Sequence, residues 1–287
     1  MSNKKKPILQ PTIKHILCPI DLPLESNQSI IYAIALAQTY QAKLFVCYCP
    51  QNNSYNNNHF KVWIEDILKS QLGNYEFASF AWDSHLLTGY VADSICDTAE
   101  DLKADLIIMQ SRRRPYSAAL FGSTTEDVCQ KAHCTVLVTH SDEQPWINSK
   151  NLTLAPKKIL LASDFSKCSN LALTYAVSIA ENSHSELHLL NVLPDSIEMK
   201  ENKHHLLANS IKQLQQLVPA KLADSNKIFW EALIGEPSSC ILQYAKENEI
   251  DLLCMGAHAN KQTGSLIWGT TVDQVIRLSL CSTLITR

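Results

Sequence analysis

Apolar and polar positions alternate along the chain in two rhythms. Short apolar runs recur, as in HILCPI from His15, AKLFVCYC from Ala42, ADLIIMQ from Ala104 and TVLVT from Thr135. Runs of this length, apolar throughout and bounded by polar or turn residues, predict buried strands. Between them the apolar residues recur at helical spacing. SNQSIIYAIALAQTY starts a helix at Ser26, whose hydroxyl can cap the first turn. KVWIEDILKSQL, VADSICDTAEDL and TTEDVCQKA predict three further helices, and YEFASFAW, with its spaced aromatics, predicts the third strand.

The same succession then runs again. ILLASDF, LHLLNVL, KIFWEAL, DLLCMG and STLIT predict strands. PSSCILQYAKEN predicts a helix with Pro237 in its first turn, and TVDQVIRL predicts the last one. A helix from about Ser196 to Val218 is expected to be longer than its counterpart KVWIEDILKSQL.

The two series are copies. ILCPIDLPLESNQSIIYAIALA from Ile16 lies on ILLASDFSKCSNLALTYAVSIA from Ile159, so Asp21 meets Asp164 and Tyr32 meets Tyr175, at an offset of 159 − 16 = 143. Asp105 meets Asp251 and Met109 meets Met255, at 251 − 105 = 146. Gly122 meets Gly269 and Cys134 meets Cys281. Tyr48 is set against Val192. Three collinear blocks mark an internal duplication. The expected organisation is one domain over 1–142, a polar linker over 143–156 and a second domain over 157–287.

Strands alternating with helices, and strands apolar on both faces, imply parallel sheets covered on both sides. The expected fold is α/β: two tandem doubly wound, Rossmann-like domains, each a mostly parallel five-stranded sheet with helices on both faces. Ligands of such sheets bind beyond the carboxyl ends of the strands.

Composition changes this picture little. The 287 residues carry a net charge of −3, which provides no global field for nucleic acid or an anionic membrane. The basic start MSNKKKP reads as a solvated terminus. No apolar run is long enough to span a membrane, and no secretory signal pattern is present. The 10 cysteines are scattered through apolar segments, as reduced thiols are, so a cytoplasmic location is expected. Cys129, His133 and Cys134 lie close together, as do His204 and His205, but no second cluster stands at ligand spacing, and no metal site is expected.

The candidate chemistry lies in GAHANKQTGSLIWGTT, which follows the strand DLLCM. Small residues allow the backbone to approach a ligand, and N–H groups of a turn and a following helix form an anion site. Thr270 and Thr271 would open that helix. A plain loop with Gly for the turn and Thr for the cap explains the same residues.

Gly256, then Ala259, then Gly269 and Thr270, after a strand ending in Met255 and with an early strand ending in Asp164, resembles the universal stress protein family. The chain looks like a tandem member, with two such domains covering nearly all of it. One departure is Ala259, where the family has its second glycine. The resemblance implies an adenine nucleotide, ATP, ADP or AMP, with Mg²⁺ as its companion ion, in the second half. Ala162, Ser163 and Asp164 would line the base and ribose, and Val192 the adenine edge. Met255, Gly256, His258, Ala259, Gly269, Thr270 and Thr271 would surround ribose and phosphates. Each has a plain alternative: Asp164 as a helix cap, Val192 and Met255 as core, His258 as a solvated loop residue.

The first half breaks the pattern. Gln110 and Arg113 replace the first two glycines, and the Arg112–Arg114 loop is one residue shorter. Tyr48 can fill the adenine slot. This half is expected not to bind nucleotide. The resemblance further implies pairing of the last strands, CTVLVTH with CSTLITR, as an intrachain pseudo-dimer, with a homodimer as a further assembly.

The function expected is a cytoplasmic, nucleotide-responsive stress regulator rather than an enzyme, since no general base stands with a metal-binding carboxylate near the loop. An interaction protein with both sites degenerate is the alternative. A slow ATPase or adenylating enzyme is the third reading.

Overall fold

The computed structural model describes residues 10–21, 28–50, 57–77, 80–111, 123–140, 145–148, 150–195, 202–218, 227–257 and 270–287, the side chains of 73–76 and 123 excepted. Two compact units are present, one spanning Thr12–Ala155 and one containing Pro156–Arg287.

The first unit runs β1 (His15–Pro19), α1 (Ser29–Tyr40), β2 (Lys43–Tyr48), α2 (Asn57–Phe77), β3 (Trp82–Leu86), α3 (Val91–Asp101), β4 (Leu106–Ser111), α4 (Ser123–Lys131) and β5 (Thr135–His140). Its strands lie in the order β3-β2-β1-β4-β5, all pairings parallel. The second unit repeats this with β8 (Lys158–Ala162), α5 (Lys167–Ser183), β9 (Glu186–Leu193), α6 (Lys203–Leu217), β10 (Ile228–Ile234), α7 (Pro237–Glu247), β11 (Leu252–Gly256), α8 (Thr270–Leu278) and β12 (Ser282–Thr286). Its order is β10-β9-β8-β11-β12, again parallel. Strand order reverses between β8 and β11, which places a crevice at their carboxyl ends.

Burial follows the apolar pattern. Ile16, Leu17 and Cys18 in β1, and Ile159, Leu160 and Leu161 in β8, are fully buried. A duplicated aspartate fixes each central strand. Asp105 Oδ2 accepts from the backbone N–H of Lys14 at 2.7 Å and of His15 at 3.0 Å. Asp251 Oδ2 accepts from Lys157 at 2.6 Å and Lys158 at 2.9 Å. These carboxylates satisfy amides at the start of the first strand, where no ladder partner is yet available.

Three elements differ from the sequence pattern. YEFASFAW does not form a strand as a whole: Tyr75–Phe77 end α2, and the strand is Trp82–Leu86. The true strand is polar, WDSHL, because it is the outer strand of its sheet and only half-buried. Helix α2 begins earlier than its apolar spacing suggests, at Asn57, among asparagines that favour turns over helix. It spans 21 residues against 15 for α6, so among the described residues the second-half helix is the shorter one. Ser26 lies outside the described residues; α1 is preceded by Gln28, whose side chain does not cap it.

The segment between the repeats carries structure. Strands β6 (Ile147–Asn148) and β7 (Thr153–Leu154) pair antiparallel, Ile147 against Leu154. Trp146 is buried, its ring 4.7 Å from that of Tyr32 in α1, and its backbone N–H donates to the Tyr32 hydroxyl at 3.4 Å. An aromatic pair thus anchors the hairpin on the first unit.

Candidate functional site

The carboxyl ends of β8, β9 and β11 and the first turns of α7 and α8 enclose a cavity of about 230 Å³. Leu190 and Val192 alternate on one face of β9 and supply one apolar wall. Pro237 and Ile241, four apart on α7, supply another. Met255 and Val272 add to it, and Ser163, Asp164 and Thr271 bring polar groups.

The turn after β8 sets Ser163 and Asp164. Ser163 is buried; its N–H donates to Leu190 at 2.8 Å, continuing the β8–β9 ladder by one residue. Its hydroxyl accepts from the N–H of Phe165 at 3.1 Å, and Phe165 takes a left-handed φ of 63°. The exposed Asp164 carboxylate accepts from the N–H of Ser166 at 3.1 Å, closing a side-chain turn. Ser166 caps α5, its hydroxyl accepting from the Ser169 N–H at 3.1 Å. The cap of the following helix is therefore Ser166, which leaves Asp164 at the cavity wall.

The floor is held from behind. The Ser163 carbonyl accepts from Asn191 Nδ2 at 2.7 Å, and Asn191 Oδ1 accepts from the Ser210 hydroxyl of α6 at 2.7 Å. On the other side, Glu236 caps α7. Its carboxylate accepts from the N–H groups of Ser238 at 3.2 Å and Ser239 at 2.7 Å. These hydrogen bonds pull its pKa down to about 2. The Ser238 hydroxyl sits between Glu236, 2.6 Å away, and the Gln274 side-chain amide of α8, which joins the two helices that flank the cavity.

Gly256 has a structural duty beyond its place in the wall. A Cβ there would lie 2.3 Å from the Ser169 nitrogen, 2.5 Å from the Cys168 carbonyl carbon and 2.8 Å from the Cys168 Cβ. The close approach that glycine permits at this position is that of the first turn of α5.

Of the residues named from sequence, Ala162, Ser163, Asp164, Val192, Met255, Gly256 and Thr271 line this one cavity. Thr270 opens α8 and is exposed. His258, Ala259 and Gly269 lie outside the described residues. Leu190, Pro237, Ile241 and Val272 were not anticipated. Leu190 was legible as the same-face neighbour of Val192, and Ile241 as the residue one turn beyond Pro237.

In the first unit the strand register corrects the pairing of Tyr48 with Val192. Pro19 stands opposite Cys47, as Ala162 stands opposite Leu190. Tyr48 therefore corresponds to Asn191, and Cys49 to Val192. The Tyr48 ring lies beside Phe60 of α2, centroids 6.1 Å apart, as Asn191 reaches Ser210 of α6. It belongs to the opposite face of the sheet from Val192, so it does not fill an adenine slot. Gln110, at the place of Gly256, sends its Oε1 to the backbone N–H of Gln28 at 2.6 Å, at the start of α1. The Arg112–Arg114 loop lies outside the described residues.

The family model for the universal stress protein family matches residues 12–140 and again 156–287. The chain belongs to the universal stress protein family. A universal stress protein of Synechocystis is 26% identical over 194 residues, which are 66% of this chain and 60% of that protein. The universal stress protein YxiE of Bacillus subtilis is 30% identical over 145 residues, 45% of this chain and 98% of YxiE. The chain thus spans less than two thirds of the Synechocystis relative, and less than half of it matches nearly all of the Bacillus one.

Among solved structures, a Pseudomonas aeruginosa protein described as functionally unknown matches with a TM-score of 0.74 at 16% identity, over 96% of this chain and 93% of that one. A universal stress protein from Archaeoglobus fulgidus matches with a TM-score of 0.66 at 19% identity, over 97% and 99%. These likenesses establish the tandem universal stress protein fold. Among the described residues, no helix is long and apolar enough to cross a membrane.

Proposed function

We propose that the second domain binds an adenine nucleotide, ATP or its di- or monophosphate, and that the protein acts as a nucleotide-responsive regulator in the cytoplasmic stress response rather than as an enzyme. The observation that carries this reading is the cavity at the β8/β11 switch point, where seven residues singled out from the family pattern converge.

The residues fit the chemistry of the ligand. Leu190, Val192, Ile241 and Met255 offer apolar surface for a flat base. Asp164 and Ser163 offer acceptors and a hydroxyl for polar edges. Thr271 stands in the first turn of α8, where N–H groups favour an anion. A magnesium ion is held mainly by the phosphates it accompanies, so one nearby carboxylate, Asp164, suits that role. The first domain is proposed to be silent. Gln110 places a side chain where the second domain has none, and that side chain is engaged with the start of α1.

Calorimetric titration of the full chain with ATP and Mg²⁺ tests the reading, on wild type and Val192→Trp. Val192 is half-buried at the cavity, so an indole there occupies the cavity without displacing core. The expected result is one site per chain, weakened at least ~10-fold in the variant. Two sites would overturn the silence of the first domain. No heat, with no nucleotide co-purifying, would overturn nucleotide binding and leave an interaction protein. The same reading includes pairing of the two halves through their last strands; sedimentation distinguishes a monomer closed on itself from a homodimer.

A further inference from the structure

A second cavity of the same unit, about 790 Å³, lies between the outer strand β10 and helix α7. It has its own chemistry. Glu186 and His188 alternate on one face of β9, and Phe229 and Glu231 on the facing side of β10. Tyr244 and Glu247 descend from α7. Among the described residues of this wall the cation is Lys158, whose ammonium donates to the Asn248 carbonyl at 3.0 Å. Among the described residues, three carboxylates therefore face the cavity, with one ammonium already committed.

His188 is the unusual member. It is only 4% exposed. Its ring stacks on Phe229 at 4.7 Å, and Nδ1 lies 2.9 Å from the Tyr244 hydroxyl. Among the described residues Nε2 has no hydrogen-bond partner, and Glu186 Oε2 is 3.6 Å away. Desolvation lowers the pKa of this ring, against the pull of Glu186, so the neutral form prevails at neutral pH. In the tautomer whose Nδ1–H donates to the Tyr244 hydroxyl, Nε2 is left with a buried lone pair beside the Glu186 carboxylate. A buried polar atom of this kind calls for a partner.

The first repeat shows what partner fits. By strand register Lys43 corresponds to Glu186, Phe45 to His188 and Asp83 to Phe229. There the Lys43 ammonium lies over the Phe45 ring, 4.6 Å from its centroid, and 3.7 Å from Asp83 Oδ2. Lys43, Lys61 and His85 all help to hold the Asp83 carboxylate ionised against its partial burial, together with the Ser84 N–H. That repeat supplies its own cation to an aromatic face and a carboxylate. The second repeat retains aromatic faces and carboxylates but replaces the lysine with glutamate.

We propose that the β10–α7 cavity binds a primary amine in its ammonium form, carried on an apolar stem, which takes the place that Lys43 fills in the first repeat. The ammonium donates to Glu186 and Glu231 and to His188 Nε2, and the stem lies on Phe229, a residue 41% exposed. This site is separate from the nucleotide cavity and does not depend on it.

The test titrates the full chain with 2-phenylethylamine and with 2-phenylethanol, its uncharged analogue, while the His188 imidazole nitrogens are followed by NMR. The expected result is saturable binding of the amine with a shift at Nε2, and at least 10-fold weaker binding of the alcohol. Glu186→Lys rebuilds the first-repeat arrangement and is expected to weaken the amine at least 10-fold with an unchanged circular-dichroism spectrum. Should that variant not fold, Glu231→Gln carries the test and is expected to lose several-fold. An unmoved His188 signal, equal binding of amine and alcohol, or a folded Glu186→Lys that binds like wild type would each overturn the proposal.

Discussion

The backbone nitrogen of Ser169 stands 2.3 Å from where a side chain at Gly256 would begin. The strand that ends at the β8/β11 cavity and the helix that starts beside it are thus packed backbone to backbone. Thr286 strengthens the same junction, its hydroxyl donating to the Cys168 carbonyl at 2.7 Å. Gly256→Ala is expected to destabilise the protein by about 2–3 kcal/mol, since backbone must move rather than a flexible side chain. Urea unfolding with an unchanged slope and a lowered midpoint checks this. A variant as stable as wild type would show that the first turn of α5 yields easily.

The first unit meets the same junction with a side chain. Gln110→Leu keeps the volume and removes the acceptor for the Gln28 N–H. The expected cost is about 1 kcal/mol, with faster amide exchange at Gln28. Gln110→Glu keeps an oxygen there and adds charge near the start of α1, whose first turn holds no acidic residue. It is expected to retain most of the stability. Equal loss in both variants would refute the cap.

The cap of α7 carries a pH signature. The Glu236 carboxyl titrates at about 2 in the folded protein, against 4.5 ordinarily, so folding favours its ionised form. Its stabilisation is fully present above pH 4.5 and is lost as pH falls toward 2. Glu236→Gln should therefore be less stable than wild type at neutral pH by about 1 kcal/mol or less, the carboxylate being solvent-screened. That gap should close on acidification. A gap independent of pH between 5 and 2.5 would contradict the assignment.

Thiol reactivity should sort by burial. Cys49, Cys134, Cys168 and Cys240 are partly exposed, and the other six cysteines are buried. Burial pushes Cys18 up to about 12 and Cys254 far above its usual range. Iodoacetamide labelling of the native protein at pH 8, read by mass spectrometry, is expected to modify only those four, and all ten in denaturant. Native labelling of Cys18 or Cys254 would reveal local opening of the β1 or β11 core.

Much of this was readable in the sequence because duplication writes the same constraint twice. Asp105 and Asp251 recur since each must hold the amides that begin a central strand. Asp164, Val192 and Met255 stood at strand ends, where a parallel sheet presents residues to ligands. What was not readable depends on tertiary contact. Tyr48 was misaligned with Val192 by one residue because Pro50 and Pro194 invite that match, whereas the ladders place them one step apart. One step turns a side chain to the other face. The β3 strand hid because an outer strand need not be apolar, and the preceding YEF belongs to a helix. Ile241 and Pro237 were invisible as site residues because an apolar position on a helix reads as core until its neighbours are known. Gly256 was read only as room for a ligand; it lines the cavity and also admits the first turn of α5, a contact that no sequence pattern announces.

Asn191 bridges the Ser163 carbonyl of the cavity floor to the Ser210 hydroxyl of α6. The three residues come from segments separated along the chain by 191 − 163 = 28 and 210 − 191 = 19 positions. The floor is therefore held by three elements at once, and its geometry depends on α6 staying docked on β9. The cavity is in that sense a product of the finished domain, and a chain with a loosened α6 would hold a folded sheet around an unfinished floor.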